Sequence, residues 1–195
     1  MVAYENLDVV RLCPTDPVRQ RHLQRYHFAA QWATGSVLDA GCGYGLGTWT
    51  MAQHGALHVL GVDRDEAAIA IAQQWARPTE PGRVRYMRVP DLEDPDCLDG
   101  MLFDTLVAIE FLEHLKDPNA FVQYWQKRVW RIVFTVPGIP SKDSNPYHLH
   151  DLHNDWIESH FLQSPISWKC LSREILRGGT PTRDLSLCYA WDKVV

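Results

Sequence analysis

Residues 36–45, SVLDAGCGYG, constrain this chain more than any other stretch. A short apolar run, Ser36–Leu38, closes on Asp39 and breaks into Gly41, Gly43 and Gly45. Glycine has no β-carbon, so this backbone can approach a ligand closely. A short helix follows, through Trp49 and Met51 to Gly55. Amides at a helix start have no partner inside the helix, so here they are expected to face the ligand. Strand, tight turn and helix in that order open an α/β unit.

The pattern then repeats. A second strand, His58–Val62, ends at Asp63, and Asp65 caps a helix running to about Arg77, where Pro78 stops it. Val84–Val89 is a third strand ending near Asp91. Phe103–Ile109 is a fourth, with the near-continuous apolar run of a buried parallel strand. Arg131–Val136 is a fifth, and Ile166–Leu171 and Leu185–Ala190 close the set. Asp16-Pro17 and Asp117-Pro118 both read as a cap followed by proline at the first helical position. After Asp16-Pro17, the spacing of Leu23, Tyr26/His27 and Ala30 is helical up to Gly35. A further helix lies near Leu152–His160, after a loop over 137–150 rich in Pro, Ser, Asn and His.

Strands alternating with helices predict a parallel sheet covered on both faces. Ligands bind such a sheet beyond the carboxyl ends of its strands, where the strand order reverses. Asp39, Asp63, Asp91 and Glu110 all fall at such ends. One domain over 1–195 is expected: a helical cap (1–35), a cofactor-binding core (36–136), and a substrate loop with closing strands (137–195).

Composition narrows the function. The 195 residues are 46% hydrophobic and 22% charged, as expected of one globular domain. A net charge of −5 argues against a broad nucleic-acid footprint. Two small basic groups, Arg19/Arg21/Arg25 and Lys127/Arg128/Arg131, read as solvated helix faces and ends. Five cysteines without CxxC spacing argue against a disulfide framework or structural zinc and fit a reducing cytoplasm. The opening MVAYENLDVVRL is too acidic for a signal peptide, and no apolar run is long enough to span a membrane. A cytoplasmic protein is therefore expected.

A dinucleotide fold is the rival, but GxGxxG fails. Its third glycine would be Leu46 counting from Gly41, or Thr48 counting from Gly43. Asp39 at the mouth of the turn would repel a pyrophosphate and suit a cationic ligand. It would also serve to tie down the turn. Asp63, 22 positions after Gly41, can accept both hydroxyls of a ribose. Asp91 can accept from an adenine amino group with the Leu92 amide facing the ring, although alone it reads as a turn former.

The segments VLDAGCGYGLGT, VLGVDRDEAAIAIAQ, VPDLED and FDTLVAIEFLEHLKDP resemble, in order, the cofactor motifs of class I S-adenosylmethionine (SAM) dependent methyltransferases over roughly residues 20–136. RYHFAA at 25–30 resembles a helix of bacterial members. The resemblance implies a Rossmann-like, doubly wound, mostly parallel seven-stranded sheet with an antiparallel last strand. It implies SAM as cofactor, held by Asp39, Gly41, Cys42, Gly43, Asp63 and Arg64, then by Asp91, Leu92 and Glu110, with Tyr26 covering the site. One departure stands out. QKRVWRIVFTVP lacks the Pro-Gly-Gly turn many members carry before the fifth strand, so that connection must differ. The tail after 137 is short, so a substrate lid is small or comes from another subunit.

For the acceptor side, Glu110, Glu113 and His114 follow the fourth strand, and His148, His150, Asp151 and His153 follow the fifth. His114 is the expected general base, with Glu110 beside it, because imidazole titrates near neutral pH. The rival role for His114 is to position the next helix. The run Glu110-x-x-Glu113-His114 with a later histidine also resembles the metal-binding set of small-RNA 2′-O-methyltransferases. The same run occurs in metal-free relatives of the ubiquinone-pathway O-methyltransferases, and no metal is assigned here. Asn145-Pro146-Tyr147 reads as turn chemistry. Trp32, Trp75 and Trp125 fit core positions, as do Trp156 and Trp168, although these two could also stack on a substrate ring. The expected activity is SAM-dependent transfer of a methyl group to a small-molecule or sugar-containing acceptor, at oxygen. A metal-assisted RNA 2′-O-methyltransferase and a non-catalytic SAM-fold subunit are the alternatives. The acceptor and the oligomeric state stay open.

Overall fold

The computed structural model describes residues 11, 13–75, 82–94, 96–177 and 185–194. Seven strands form one sheet in the order β3-β2-β1-β4-β5-β7-β6. They are β1 (Ser36–Ala40), β2 (His58–Asp63), β3 (Val84–Arg88), β4 (Thr105–Ile109), β5 (Arg131–Pro137), β6 (Trp168–Arg177) and β7 (Leu185–Lys193). The first five pair in parallel, and β7 runs antiparallel between β5 and β6. This is the doubly wound, Rossmann-like sheet expected, with its last strand reversed. The chain steps outward from β1 to β3, then returns to lay β4 against the other side of β1. That reversal opens a crevice at the carboxyl ends of β1 and β4.

Helices α1 (Pro17–Trp32), α2 (Leu46–Gln53), α3 (Glu66–Trp75), α4 (Pro118–Gln126) and α5 (Asn154–Leu162), with a 3-10 turn at Leu112–His114, connect the strands. Alternate strand residues point to opposite faces. Leu38, Ala40, Leu106, Ala108 and Phe134 therefore pack with Phe121 and Trp125 of α4 and Phe161 of α5. Val37, Val107, Ile109 and Val133 pack on the other face with Tyr26 and Phe28 of α1 and Met51 of α2. Burying each larger side chain contributes roughly 1.5–3 kcal/mol. All five residues of β4 are buried because both faces are covered. Trp125 and Trp168 are core residues, whereas Trp156 is half-buried and donates to Asn119.

The capping signals work as read. Asp16 accepts the Val18 amide at 2.8 Å, Asp117 the Ala120 amide at 2.9 Å, and Asp65 the Ala67 amide at 2.8 Å. The expected stop at Arg77 and Pro78 lies outside the described residues, as do residues 1–10. Without a Pro-Gly-Gly turn, α4 ends on Arg128 and Val129 amides bonded to the Trp125 carbonyl. The Trp130 and Arg131 amides then bond to the Asp104 carbonyl and start β5 directly.

Two expectations need correction. β6 continues to Arg177, well past Leu171, because an edge strand with exposed polar residues shows little apolar alternation. It also carries a bulge between Cys170 and Ser172. Arg131 is not a solvated cation. It pairs with the Asp192 carboxylate of β7 and donates to the Trp32 carbonyl at 2.6 Å, tying the end of α1 to the sheet. Among the described residues no helix is long and apolar enough to cross a membrane.

Candidate active site

A cavity of about 250 Å³ occupies the crevice. Its walls are Gly41 after β1, Asp63 and Arg64 after β2, and Val89–Glu93 after β3. Glu110, Phe111 and His114–Lys116 follow β4, and Leu149 comes from the loop ahead of α5. Of the residues expected to hold a cofactor, the structure gathers Gly41, Asp63, Arg64, Asp91, Leu92 and Glu110 here, together with His114. Tyr26, Asp39, Cys42 and Gly43 do not line the cavity.

Asp39 was expected at the mouth of the turn. It is wholly buried, accepting the Thr48 hydroxyl at 2.6 Å and the Tyr26 hydroxyl at 3.1 Å. The reason is the two-residue strand period: Asp39 shares a face with Val37, toward α1 and α2. Burial pushes its carboxyl up to about 7 despite those two hydrogen bonds, with Asp63 adding to the rise. Tyr26 does not cover the site either. Its ring lies under α2 against Gly47, where a β-carbon would overlap it. Cys42 is buried between α3 and the sheet.

The turn also uses its amides differently from expectation. Gly41 and Cys42 donate to the Val62 carbonyl at 2.9 Å, and Gly43 donates to the Asp63 carboxylate at 2.8 Å. The amides brace β1 against β2 rather than facing the cavity. Gly41, at φ +73°, has no room for a β-carbon because the Phe111 ring fills that place. Asp63 also accepts the Asp65 amide at 2.9 Å, so each of its oxygens holds one backbone amide. Asp91 accepts the Glu93 amide at 2.9 Å and faces Lys116 at 3.5 Å, so it is a turn former and a cavity wall at once.

Glu110 sits at φ +49°, the one described non-glycine residue in the left-handed region. Its amide donates to the Thr135 carbonyl at 3.0 Å, while the Thr135 hydroxyl donates to its carboxylate at 2.8 Å. Arg25 of α1 stands 3.4 Å from the same oxygen and donates to the Ser186 hydroxyl at 2.7 Å. Arg25 is thus a member of the site rather than a solvated charge. The signal was present: it lies three and four residues before Phe28 and Ala29, both buried, on the inward face of α1. Phe111, Glu93 and Leu149 also line the cavity without any prior sequence signal.

The segments after β4 and β5 converge. The Leu149 amide donates to the Glu113 carbonyl at 2.8 Å, strapping the 138–153 loop to the 3-10 turn. The His114 and His148 rings meet edge to face at 4.8 Å. His150 instead reaches the Leu115 carbonyl, and His153 starts α5. His114 Nδ1 lies 3.0 Å from the Tyr147 carbonyl. A carbonyl only accepts, so Nδ1 carries a proton, and in the neutral ring Nε2 has the lone pair. Tyr147 itself is held by the Asn145 side chain, the turn chemistry expected of that sequence. Glu113 is fully buried, and burial followed by the charge of Glu110 pushes its carboxyl well above the usual range. Burial, then His114, lowers the His148 imidazole.

A family model described as a methyltransferase domain matches residues 37–129, which carry β1 through α4. That match spans 93 of the 195 residues and supports a class I SAM-dependent methyltransferase domain there. The chain is 36% identical over 93 residues to the ubiquinone biosynthesis O-methyltransferase of Acinetobacter baumannii, covering 48% of this chain and 38% of that one. It is 37% identical over 108 residues to the Leptothrix cholodnii enzyme of the same name, covering 53% and 45%. The chain therefore spans less than half the length of these relatives. Solved structures share the fold at low identity. The magnesium protoporphyrin IX methyltransferase of Synechocystis, with bound SAH, superposes at TM-score 0.72 and 18% identity over 98% of this chain and 90% of that one. The N-methyltransferase NodS of Bradyrhizobium japonicum, with S-adenosylhomocysteine, superposes at 0.72 and 18% over 95% and 91%. Asp63 and Asp91 give the cavity two carboxylate acceptors.

Proposed function

We propose that this chain binds SAM in the cavity at the ends of β1–β4 and transfers its methyl group to a hydroxyl of a small-molecule acceptor. The observation that carries the reading is the convergence of Gly41, Asp63, Asp91, Glu110 and His114 on one cavity at the strand-order reversal. The relatives named as ubiquinone biosynthesis O-methyltransferases support oxygen as the acceptor atom. The fold alone does not decide the reaction, since the [4+2]-cyclase SpnF shares it at TM-score 0.66 and 17% identity.

Bound SAM supplies an electrophilic methyl group on a cationic sulfur. The chain's own residues supply the rest. Asp63 accepts from ribose hydroxyls, and Asp91 with Leu92 borders the adenine. Glu110, held by Thr135 and Arg25, places negative charge near the sulfonium. His114, with its Nδ1 proton fixed on Tyr147, presents Nε2 to take the acceptor hydroxyl proton. Phe111 and Leu149 form apolar walls around the acceptor position.

The test is a transfer assay with methyl-labelled SAM and a panel of phenols, catechols and sugars, read by mass spectrometry. Addition of one labelled methyl group to an acceptor oxygen is expected. Absence of both a methylated product and S-adenosylhomocysteine across the panel, with folded protein, contradicts the proposal.

A further inference from the structure

We infer that the amino-terminal edge of the sheet, opposite the cavity, is a contact surface for a second copy of this chain. Of the eight large hydrophobic side chains exposed among the described residues, five stand on that edge: Leu57, Met101, Leu102, Trp130 and Val194. They lie just before β2, β4 and β5 and just after the reversed β7. Backbone bonds tie them into one row. The Leu57 amide donates to the Gly35 carbonyl at 2.9 Å, and the Asp104 amide to the Ser36 carbonyl at 2.8 Å. The Trp130 amide reaches the Asp104 carbonyl at 2.9 Å, and the Trp130 carbonyl accepts the Lys193 amide at 2.8 Å. Neighbouring strands lie about 4.8 Å apart, so Met101, Leu102, Trp130 and Val194 span about 10 Å across β4, β5 and β7. Leu102 is 87% exposed and Trp130 53%. Single apolar side chains are ordinary on a surface, whereas a contiguous row of them marks an interaction site.

The row is complementary to itself. β5 lies between β4 and β7, so Trp130 has Leu102 one strand away on one side and Val194 one strand away on the other. A two-fold axis through Trp130 brings the two indoles together and sets Leu102 of each copy against Val194 of the other. Charge follows the same symmetry. Asp99 and Asp104 are exposed on the β4 side. Lys193 flanks Val194 on the β7 side, with its ammonium 5.3 Å from the centroid of the Trp130 ring. Asp192, the acid beside Lys193, is taken up by Arg131. The axis therefore faces the acids of one copy with the lysine of the other, a match that an unrelated partner would not require of one surface. A few side chains with a polar rim support a weak, reversible dimer, with a Kd of about 10–100 µM. The cavity lies at the opposite, carboxyl end of the strands, so both copies keep it accessible, and the contact does not depend on the function proposed above.

Sedimentation velocity on the full chain, from about 1 to 500 µM, reads the association. Wild type is expected to pass from monomer to dimer, and Leu102→Lys and Trp130→Ala should each weaken the dimer at least about 10-fold. Leu102→Lys sets a cation against Lys193 of the other copy and, at so exposed a position, leaves the core alone. Circular dichroism checks that each variant folds. Charge reversal tests the pairing itself. Asp99→Lys and Lys193→Glu should each weaken the dimer about 3-fold or more, and the double variant should return to within about 3-fold of wild type. Wild type that stays monomeric over the whole range overturns the inference, even if this edge then captures a different protein. A dimer that neither Leu102→Lys nor Trp130→Ala weakens overturns it too. A double variant that does not recover overturns the two-fold arrangement through Trp130.

Discussion

The Asp63 carboxylate accepts the Gly43 amide at 2.8 Å, so a residue of the cavity wall, proposed above to hold a ribose, also holds the shape of the glycine turn. Asp63→Ala removes that anchor, the acceptor of the Asp65 amide, and the ribose contact together. Hydrogen bonds to a charged group contribute about 1.5–3 kcal/mol each. S-adenosylhomocysteine affinity should therefore fall by a factor of about 10–100, with a lower Tm. Calorimetry and thermal denaturation measure the two effects, and an unchanged Kd would exclude Asp63 from the site.

Asp39 makes ligand-free stability depend on pH. Its folded-state value of about 7 lies above the ordinary carboxyl value, so the fold favours the neutral form. Its contribution is fully present below the ordinary carboxyl range and is lost as pH rises through about 7. Asp39→Asn cannot ionise and keeps an acceptor oxygen. Raising pH from 5 to 8 should lower wild-type Tm relative to the variant by roughly 5–10 °C, a few kcal/mol in a domain of this size. A gap that does not move with pH refutes the assignment.

Gly47 lies in α2, where alanine is the better helix former by about 1 kcal/mol. Packing reverses the sign. A β-carbon at 47 would overlap the Tyr26 ring, which is buried and tied to Asp39. Gly47→Ala should therefore lose about 1–3 kcal/mol. The loss should shrink in a Tyr26→Leu background, because the two residues touch. Chemical denaturation of the four proteins measures both effects.

His114 is the one expected base the structure brings to the cavity with a defined tautomer. His114→Ala should lower kcat about 100-fold or more while leaving S-adenosylhomocysteine affinity within about 3-fold. A loss of cofactor affinity matching the loss of rate would make His114 a binding residue instead.

Much of this was legible in the sequence, and the failures have physical causes. Strand ends form the cavity wall, so the placement of Asp63, Asp91 and Glu110 there was readable from position alone. Asp39 also ends β1, but its parity with Val37 sends it into the core. That alternation was in the sequence and outweighs nearness to the turn. Arg25 read as a surface charge because local charge grouping says nothing of a partner 85 positions away at Glu110. Leu149 and His148 join the site through long-range bonds of their loop to Glu113, His114 and Leu115, which no local pattern encodes. β6 was cut short because an edge strand has no second apolar face to mark its length.

The central claim is that the crevice between the ends of β1 and β4 is a SAM site. A crystal structure with S-adenosylhomocysteine tests it most directly. The account predicts ribose hydroxyls on Asp63, the adenine beside Asp91 and Leu92, and the sulfur directed toward Glu110 and His114. Saturating ligand that leaves this cavity without density, or that binds elsewhere on the chain, contradicts it.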